Sequence, residues 1–417
     1  MGIRPILLNL LLASAFAAAD DGVPEFTDRV GTLPLDAVLD SRGNLGGMTV
    51  DRLGFVYVAN FRDAVWRVGP DGDVKELSRS LYGSSGNAVD SRGDLYQASF
   101  FGNTITRITR AGDEAIIIDK GLAGPVGLAF DAGDTLYVCN CNGNTLARAG
   151  TDGTASVFAE SELFACPNGI ALASDGNLYV TNFNSTRILR VTPEGDVSVF
   201  VDVPGGAGNA HLVFSKGFFY VTRIIANTVV KISMDGEVLP VAGTGQVGHD
   251  DGPGPAATLA HPNGITVSPT GDRLYLNTIV GAYGEPQPAE LTIRTIDVVT
   301  LTGVLDEAMV TGGLEAAQRA YARFKADPVR GRENTSGEMV RYGYRWLRDV
   351  RIPEALVFFR LNAESYPDNA IAQYQLGEAL RYAGQADAAA EQYEKALALD
   401  PGHALAKSRL AQLGTGS

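Results

Sequence analysis

Residues 167–183, PNGIALASDGNLYVTNF, hold the reading that decides the fold. Pro167-Asn168-Gly169 is a turn, and residues 170–172 form a short apolar strand after it. Asp175-Gly176-Asn177 is a second turn, leading into a second strand over residues 178–181. Gly and Asn take the backbone angles that tight turns demand, and apolar residues alternate between the turns as a half-buried sheet requires. The stretch is a β-hairpin.

Working outward, the same hairpin recurs. Its second strand carries a tyrosine in six copies, Tyr57, Tyr96, Tyr137, Tyr179, Tyr220 and Tyr275, at intervals of 39, 41, 42, 41 and 55 residues. A third strand follows each of the first five, as in residues 65–68, 105–108 and 188–191, and residues 197–201 read as a fourth. Four strands per period of about 40 residues is the pattern of a β-propeller. One four-stranded sheet cannot bury both faces alone, so such sheets stack radially and close into a ring. Six copies predict a mainly β chain with a six-bladed propeller over residues 20–303, a strand from residues 23–40 completing the last blade.

The pattern P-x-G-I-A-x-D-x-x-G-N-L-Y-V, followed by N-x-I-x-R and a Gly turn, resembles the NHL repeat over roughly residues 45–303. Residues 243–265 are similar to the long insert between blades of such proteins. The resemblance implies a shape close to the senescence-marker/gluconolactonase family, six-bladed enzymes that hold a divalent cation such as calcium with Asn and carboxylate ligands. This chain has Asn168 and Asn209 at matching places, but Gly46 at the first-blade place and no Asp or Glu at the others. Hard cations need charged oxygen donors to shed their water. The carboxylates that the implied lactone hydrolysis requires are therefore missing.

Near Leu301 the apolar period changes from two to helical. Residues 304–313 read as a linker and residues 314–326 as one helix, ended by Asp327-Pro328. Gly343, Ala355, Phe359 and Pro367 recur 34 residues later as Gly377, Ala389, Tyr393 and Pro401. These spacings resemble the tetratricopeptide repeat, whose paired helices pack through small residues. An all-α domain is expected over residues 314–413, with residues 403–413 as its capping helix. Tyr344, Tyr374, Glu378 and Arg381 are expected to line a groove for a peptide or helix of a protein partner.

Residues 1–19 read as a secretory signal peptide: Arg4 opens it, residues 6–19 are apolar apart from Asn9 and Ser14, and small residues mark a cleavage site. A periplasmic or secreted protein without membrane insertion is expected. The formal net charge is −14, and from Thr311 onward basic and acidic residues balance at 14 against 13. The acidic excess thus lies in the propeller, which repels phosphate backbones and argues against a nucleic-acid partner.

In a propeller, function gathers on the face where the innermost strands begin. The residues before the inner-strand glycines read as Gly46, Ser85, Val126, Asn168, Asn209 and Asn263. The second strands end at Asn60, Ser99, Asn140, Asn182, Arg223 and Asn277. Aligned this way, His211 falls where other copies have Met48, Asn87, Leu128, Ile170 and Ile265. Arg223 stands where others have Asn or Ser and suits the clamping of an anion. Asn168, Asn209, His211, Arg223 and Asn263, from blades four to six, are expected to converge on one cavity for a small polar ligand. That mouth would be polar on one half and open on the other.

His249 and His261 lack a zinc-ligand spacing. Cys141 and Cys166 fall on the same face and are expected to pair in an oxidising compartment, leaving Cys139 as a small buried residue; three buried thiols are the alternative. No nucleophile elbow, phosphate loop or dinucleotide fingerprint occurs. Three functions remain: an exported scaffold that binds a small polar ligand and a partner protein, a cation-dependent lactone hydrolase, or a lyase or other metal-dependent propeller enzyme.

Overall fold

The computed structural model describes residues 26–150, 153–281, 289–328 and 330–414. The signal peptide read over residues 1–19 lies outside them. The chain divides into two compact units between Val298 and Val299.

The first unit is a six-bladed propeller. Blade four comprises Pro167–Leu172, Leu178–Asn182, Arg187–Val191 and Val197–Asp202, paired antiparallel in chain order. Blades one to three and five repeat this order. The recurring tyrosine has a local cause. The Tyr179 hydroxyl donates to Asp175 of its own hairpin turn at 2.9 Å, and Tyr57 and Tyr96 donate to Asp51 and Asp90 in the same way. Burial and the partner carboxylate push the Tyr57 and Tyr179 hydroxyls up to about 12. These three tyrosines thus lock their turns, and the Tyr179 ring packs between blades against Phe219 at 4.4 Å.

Blade six is completed from the other end of the propeller. Arg29–Thr32 pairs antiparallel with Glu290–Asp297, setting Val30 opposite Ile296. The insert before this blade is pinned by Arg294, which is 1% exposed and donates to Asp251, to the Asp250 and Thr258 carbonyls and to Gly31.

The second unit has six helices among the described residues: α1 (Leu301–Ala326), α2 (Ser336–Arg348), α3 (Ile352–Ser365), α4 (Ala370–Tyr382), α5 (Ala386–Leu399) and α6 (Ala404–Gly414). The 34-residue spacing has a packing reason. A Cβ on Gly343 would stand 2.6 Å from the Phe359 ring, and one on Gly377 2.6 Å from the Tyr393 ring. Glycine lets α2 meet α3, and α4 meet α5, across a fully buried aromatic ring.

Residues 304–313 are not a linker: they are the first turns of α1. Thr300 caps them by accepting from Gly303 N, Thr302 donates to Glu338, and Asp306 accepts from Tyr342 and Arg345. Glu338, Tyr342 and Arg345 lie on one face of α2, so that helix supplies the order which composition did not announce. The break falls only at Gly312-Gly313, where Gly313 has φ 65°. No helix among the described residues is long and apolar enough to cross a membrane.

Candidate functional site

The innermost strands meet at the axis through a ring that the pairing register defines. Ile170 pairs with Val180 in blade four, and Leu212 with Val221 in blade five. Leu212, not His211, is therefore the counterpart of Met48, Asn87, Leu128, Ile170 and Ile265. His211 occupies the place of Gly47, Gly86, Gly127, Gly169 and Gly264. By the same register Asn209 matches Pro167, and Ala210 matches Asn168. Blade five lacks the Pro-Asn-Gly turn, so aligning its single Asn shifted the reading by one residue.

The five glycines are required by close approach. A Cβ on Gly86 would stand 2.2 Å from the Val126 carbonyl oxygen, and one on Gly127 2.1 Å from that of Asn168. Where blade five places an imidazole instead of a glycine, it fills the axis. His211 Cε1 lies 3.2 Å from where a Cβ on Gly47 would stand, two blades away. The described residues give its ring no hydrogen-bond partner, and burial pushes its pKa down to about 4.

Above it opens a cavity of about 330 Å³. Asn168, His211 and Asn263 line it together; Asn209 and Arg223 do not. The Asn209 amide is turned outward onto the carbonyls of Thr186 and Ser185, at 3.0 and 3.5 Å. Arg223 donates to the Gly206 carbonyl at 3.2 Å. Asn263 is partly structural, since its amide donates to the Leu45 and Gly46 carbonyls and ties blade six to blade one. Asn168 Oδ1 is buried without a partner among the described residues.

The expected half-polar mouth is instead walled by aromatic rings from blades one, two and four. Phe61, Phe100 and Phe183 line it, with Cys141 and Cys166 joined as a disulfide between blades three and four. Phe61 and Phe100 lie 5.5 Å apart, and the series runs outward through Phe101 to Tyr82, which are 48% and 67% exposed. These rings were overlooked because they stand one residue past the second strands: Asn60-Phe61, Ser99-Phe100, Asn182-Phe183. Asn60, Asn140 and Asn182 close their own loops, Asn182 Oδ1 accepting from Ala165 N and Asn140 Oδ1 from Ala123 N.

The lining contains no carboxylate, and among the described residues no three His, Cys, Asp or Glu side chains group to hold a metal ion. This donor set does not fit the calcium-like cation that the resemblance implied.

The candidate groove on the helices is largely closed. Tyr374 and Glu378 are each 5% exposed. Glu378 pairs with Arg381 at 3.2 Å and with Arg409 of α6 at 3.1 Å, and accepts from the Tyr393 hydroxyl. Burial raises the Glu378 pKa, but the bonds from Arg381 and Tyr393 outweigh it and hold the carboxyl below its ordinary value. The capping helix thus covers the positions that a partner was expected to reach. Tyr344 is 40% exposed and donates to Gln375.

Residues 164–190 match the NHL repeat. The match falls on blade four. The sequence matches no curated protein. Similar solved structures include an auxiliary nutrient binding protein from Bacteroides ovatus, 17% identical with a TM-score of 0.53 over 65% of this chain and 76% of that one. Another is a gluconolactonase from Xanthomonas campestris, 18% identical with a TM-score of 0.50 over 65% and 90%. A third is virginiamycin B lyase from Staphylococcus aureus, 18% identical with a TM-score of 0.45 over 65% and 100%. What the first two share with this propeller is its fold.

One pH effect follows from the axial histidine. The folded imidazole, at about 4, resists a proton that an unfolded one accepts near 6.5. The propeller should hold its full stability above pH 6.5 and lose about 3 kcal/mol as pH falls to 4. Urea unfolding at pH 7 and pH 4 should show a flatter dependence for His211→Gln; equal slopes would remove His211 from the acid response.

Proposed function

We propose that the NHL propeller is a small-molecule binding module of an exported protein. Its ligand is an uncharged molecule with a flat apolar body and a hydrogen-bonding end. The observation that carries this is the mouth: three phenylalanines and a disulfide wall a cavity of about 330 Å³, with Asn168 Oδ1 and a neutral His211 as the polar groups at its base. Such pockets take their affinity from apolar contact and their orientation from a few placed polar atoms. The disulfide and the apolar leader both favour an address outside the cytoplasm.

The two helix pairs α2–α3 and α4–α5 resemble tetratricopeptide repeats in their 34-residue spacing, and on that resemblance we assign them a protein-binding role. With Glu378 closed in by α6, the partner must meet another surface, such as the exposed Tyr344 side. A cation-dependent lactonase is the weaker reading, because the mouth offers no carboxylate.

A thermal-shift screen of uncharged aromatic and sugar-like compounds should find binders, and calorimetry on the best of them tests the site. Phe100→Ala should weaken binding about tenfold, in line with 0.5–1.5 kcal/mol for an aromatic pair beyond its buried area. Unchanged affinity in both Phe100→Ala and Asn168→Ala would place the ligand elsewhere.

A further inference from the structure

Arg223 ends the second strand of blade five, where blade four has Asn182. Asn182 is fully satisfied in its place: Oδ1 accepts from Ala165 N at 2.9 Å and Nδ2 donates to the Leu163 carbonyl at 3.0 Å. Arg223 does the matching job with a charge. It is 7% exposed and donates to the Gly206 carbonyl at 3.2 Å. Among the described residues that is the guanidinium's one hydrogen bond, its Nε is buried without a partner, no carboxylate pairs with it, and burial alone acts on it, pulling its pKa down. An ionised group taken from water without a counter-charge costs several kcal/mol. A domain that is acidic overall nonetheless leaves this cation uncompensated.

The loop over it is built to come close. Gly205, Gly206 and Gly208 have φ of 97°, 95° and 96°. A Cβ on Gly205 would stand 3.0 and 3.2 Å from the two terminal guanidinium nitrogens. Gly205 and Gly206 are exposed. Among the described residues the N–H groups of Gly205, Gly206 and Ala207 have no hydrogen-bond partner. The place is therefore rich in donors and open to solvent through glycine. It also adjoins the mouth, because Gly208 N donates at 2.9 Å to the carbonyl of Phe183, one of the mouth's walls.

We propose that Arg223 and the loop of residues 205–208 form a subsite for the carboxylate of a small organic acid. One guanidinium supplies one positive charge, which a carboxylate balances; a phosphate dianion would leave a surplus in an acidic domain. The subsite stands apart from the mouth ligand and does not rest on it.

The probe is sodium acetate against sodium chloride at equal ionic strength, read by thermal unfolding of the full chain. The wild-type midpoint should rise saturably with acetate beyond the chloride control. Apparent acetate affinity should fall at least tenfold in Arg223→Gln and less in Arg223→Lys, which keeps the charge but not the fork. In chloride alone, Arg223→Gln should unfold at or above the wild-type temperature, since it removes an unbalanced charge. No acetate-specific rise in the wild type, an undiminished rise in Arg223→Gln, or an Arg223→Gln chain that fails to fold would each overturn the subsite, the last by making the arginine purely structural. Loss of aromatic ligands in Phe100→Ala with the acetate response intact would bear on the mouth alone.

Discussion

Gly127→Ala is expected to destabilise the propeller by more than about 3 kcal/mol, the upper range for overpacking a closed site. Its Cβ would stand 2.1 Å from the carbonyl oxygen of Asn168. That oxygen belongs to the backbone of the next blade, so no side chain can swing aside, and relief requires two sheets to part. Gly176→Ala is the control. Gly176 has φ 81° with nothing within 4 Å of its would-be Cβ, so only the backbone cost of about 1 kcal/mol applies there. Urea unfolding of the two variants separates close approach from turn geometry. Equal midpoints would mean that the axial ring has slack.

Loss of the Cys141–Cys166 bond is expected to cost about 3.5 kcal/mol, the loop-entropy figure for the 25-residue separation it spans. Peptide mapping without reduction should recover the two cysteines joined, with Cys139 free and buried. The Cys141→Ser/Cys166→Ser chain should unfold at lower denaturant than the oxidised wild type. Because the bond is also a wall of the mouth, the same variant should bind mouth ligands more weakly. A variant as stable as the wild type would mean that blades three and four are held at the rim by their other contacts alone.

The propeller was legible because its signals are local. A turn glycine, an Asp four to six residues before a Tyr, and alternating apolar residues all act within one hairpin, and the hairpin repeats. The helix pairs were legible for a similar reason, since Gly343 and Gly377 each face an aromatic ring 16 residues on. What was not legible lay between elements. The place of His211 depends on which strand residue pairs with Val221, and a blade without its Pro-Asn-Gly turn offers no marker for that register. The helix over residues 304–313 is held by Glu338, Tyr342 and Arg345, contacts more than 30 residues away. Glu378 looked open because the expected capping helix was legible but the reach of its Arg409 onto Glu378, 31 residues back, was not. The phenylalanine walls had a visible signal, just past the second strands of blades one, two and four, and the polar residues beside them drew the attention.

The pairing of Arg29–Thr32 with Glu290–Asp297 bears on when the fold can exist. Blades one to five are each made from one continuous stretch and can zip as they emerge. The sixth sheet must wait for the chain to bring Val30 to Ile296, the most distant pairing in the propeller. Non-local closure of this kind is slow, and edges left open meanwhile are prone to wrong pairing. Until those strands meet, blade one and blade six each present a bare flank. The clasp of Asn263 and Asn277 on Gly46 can form only once they have met. The ring is therefore assembled as an open arc and becomes a single cooperative body in one late step, so its lifetime against opening is set chiefly at that one seam.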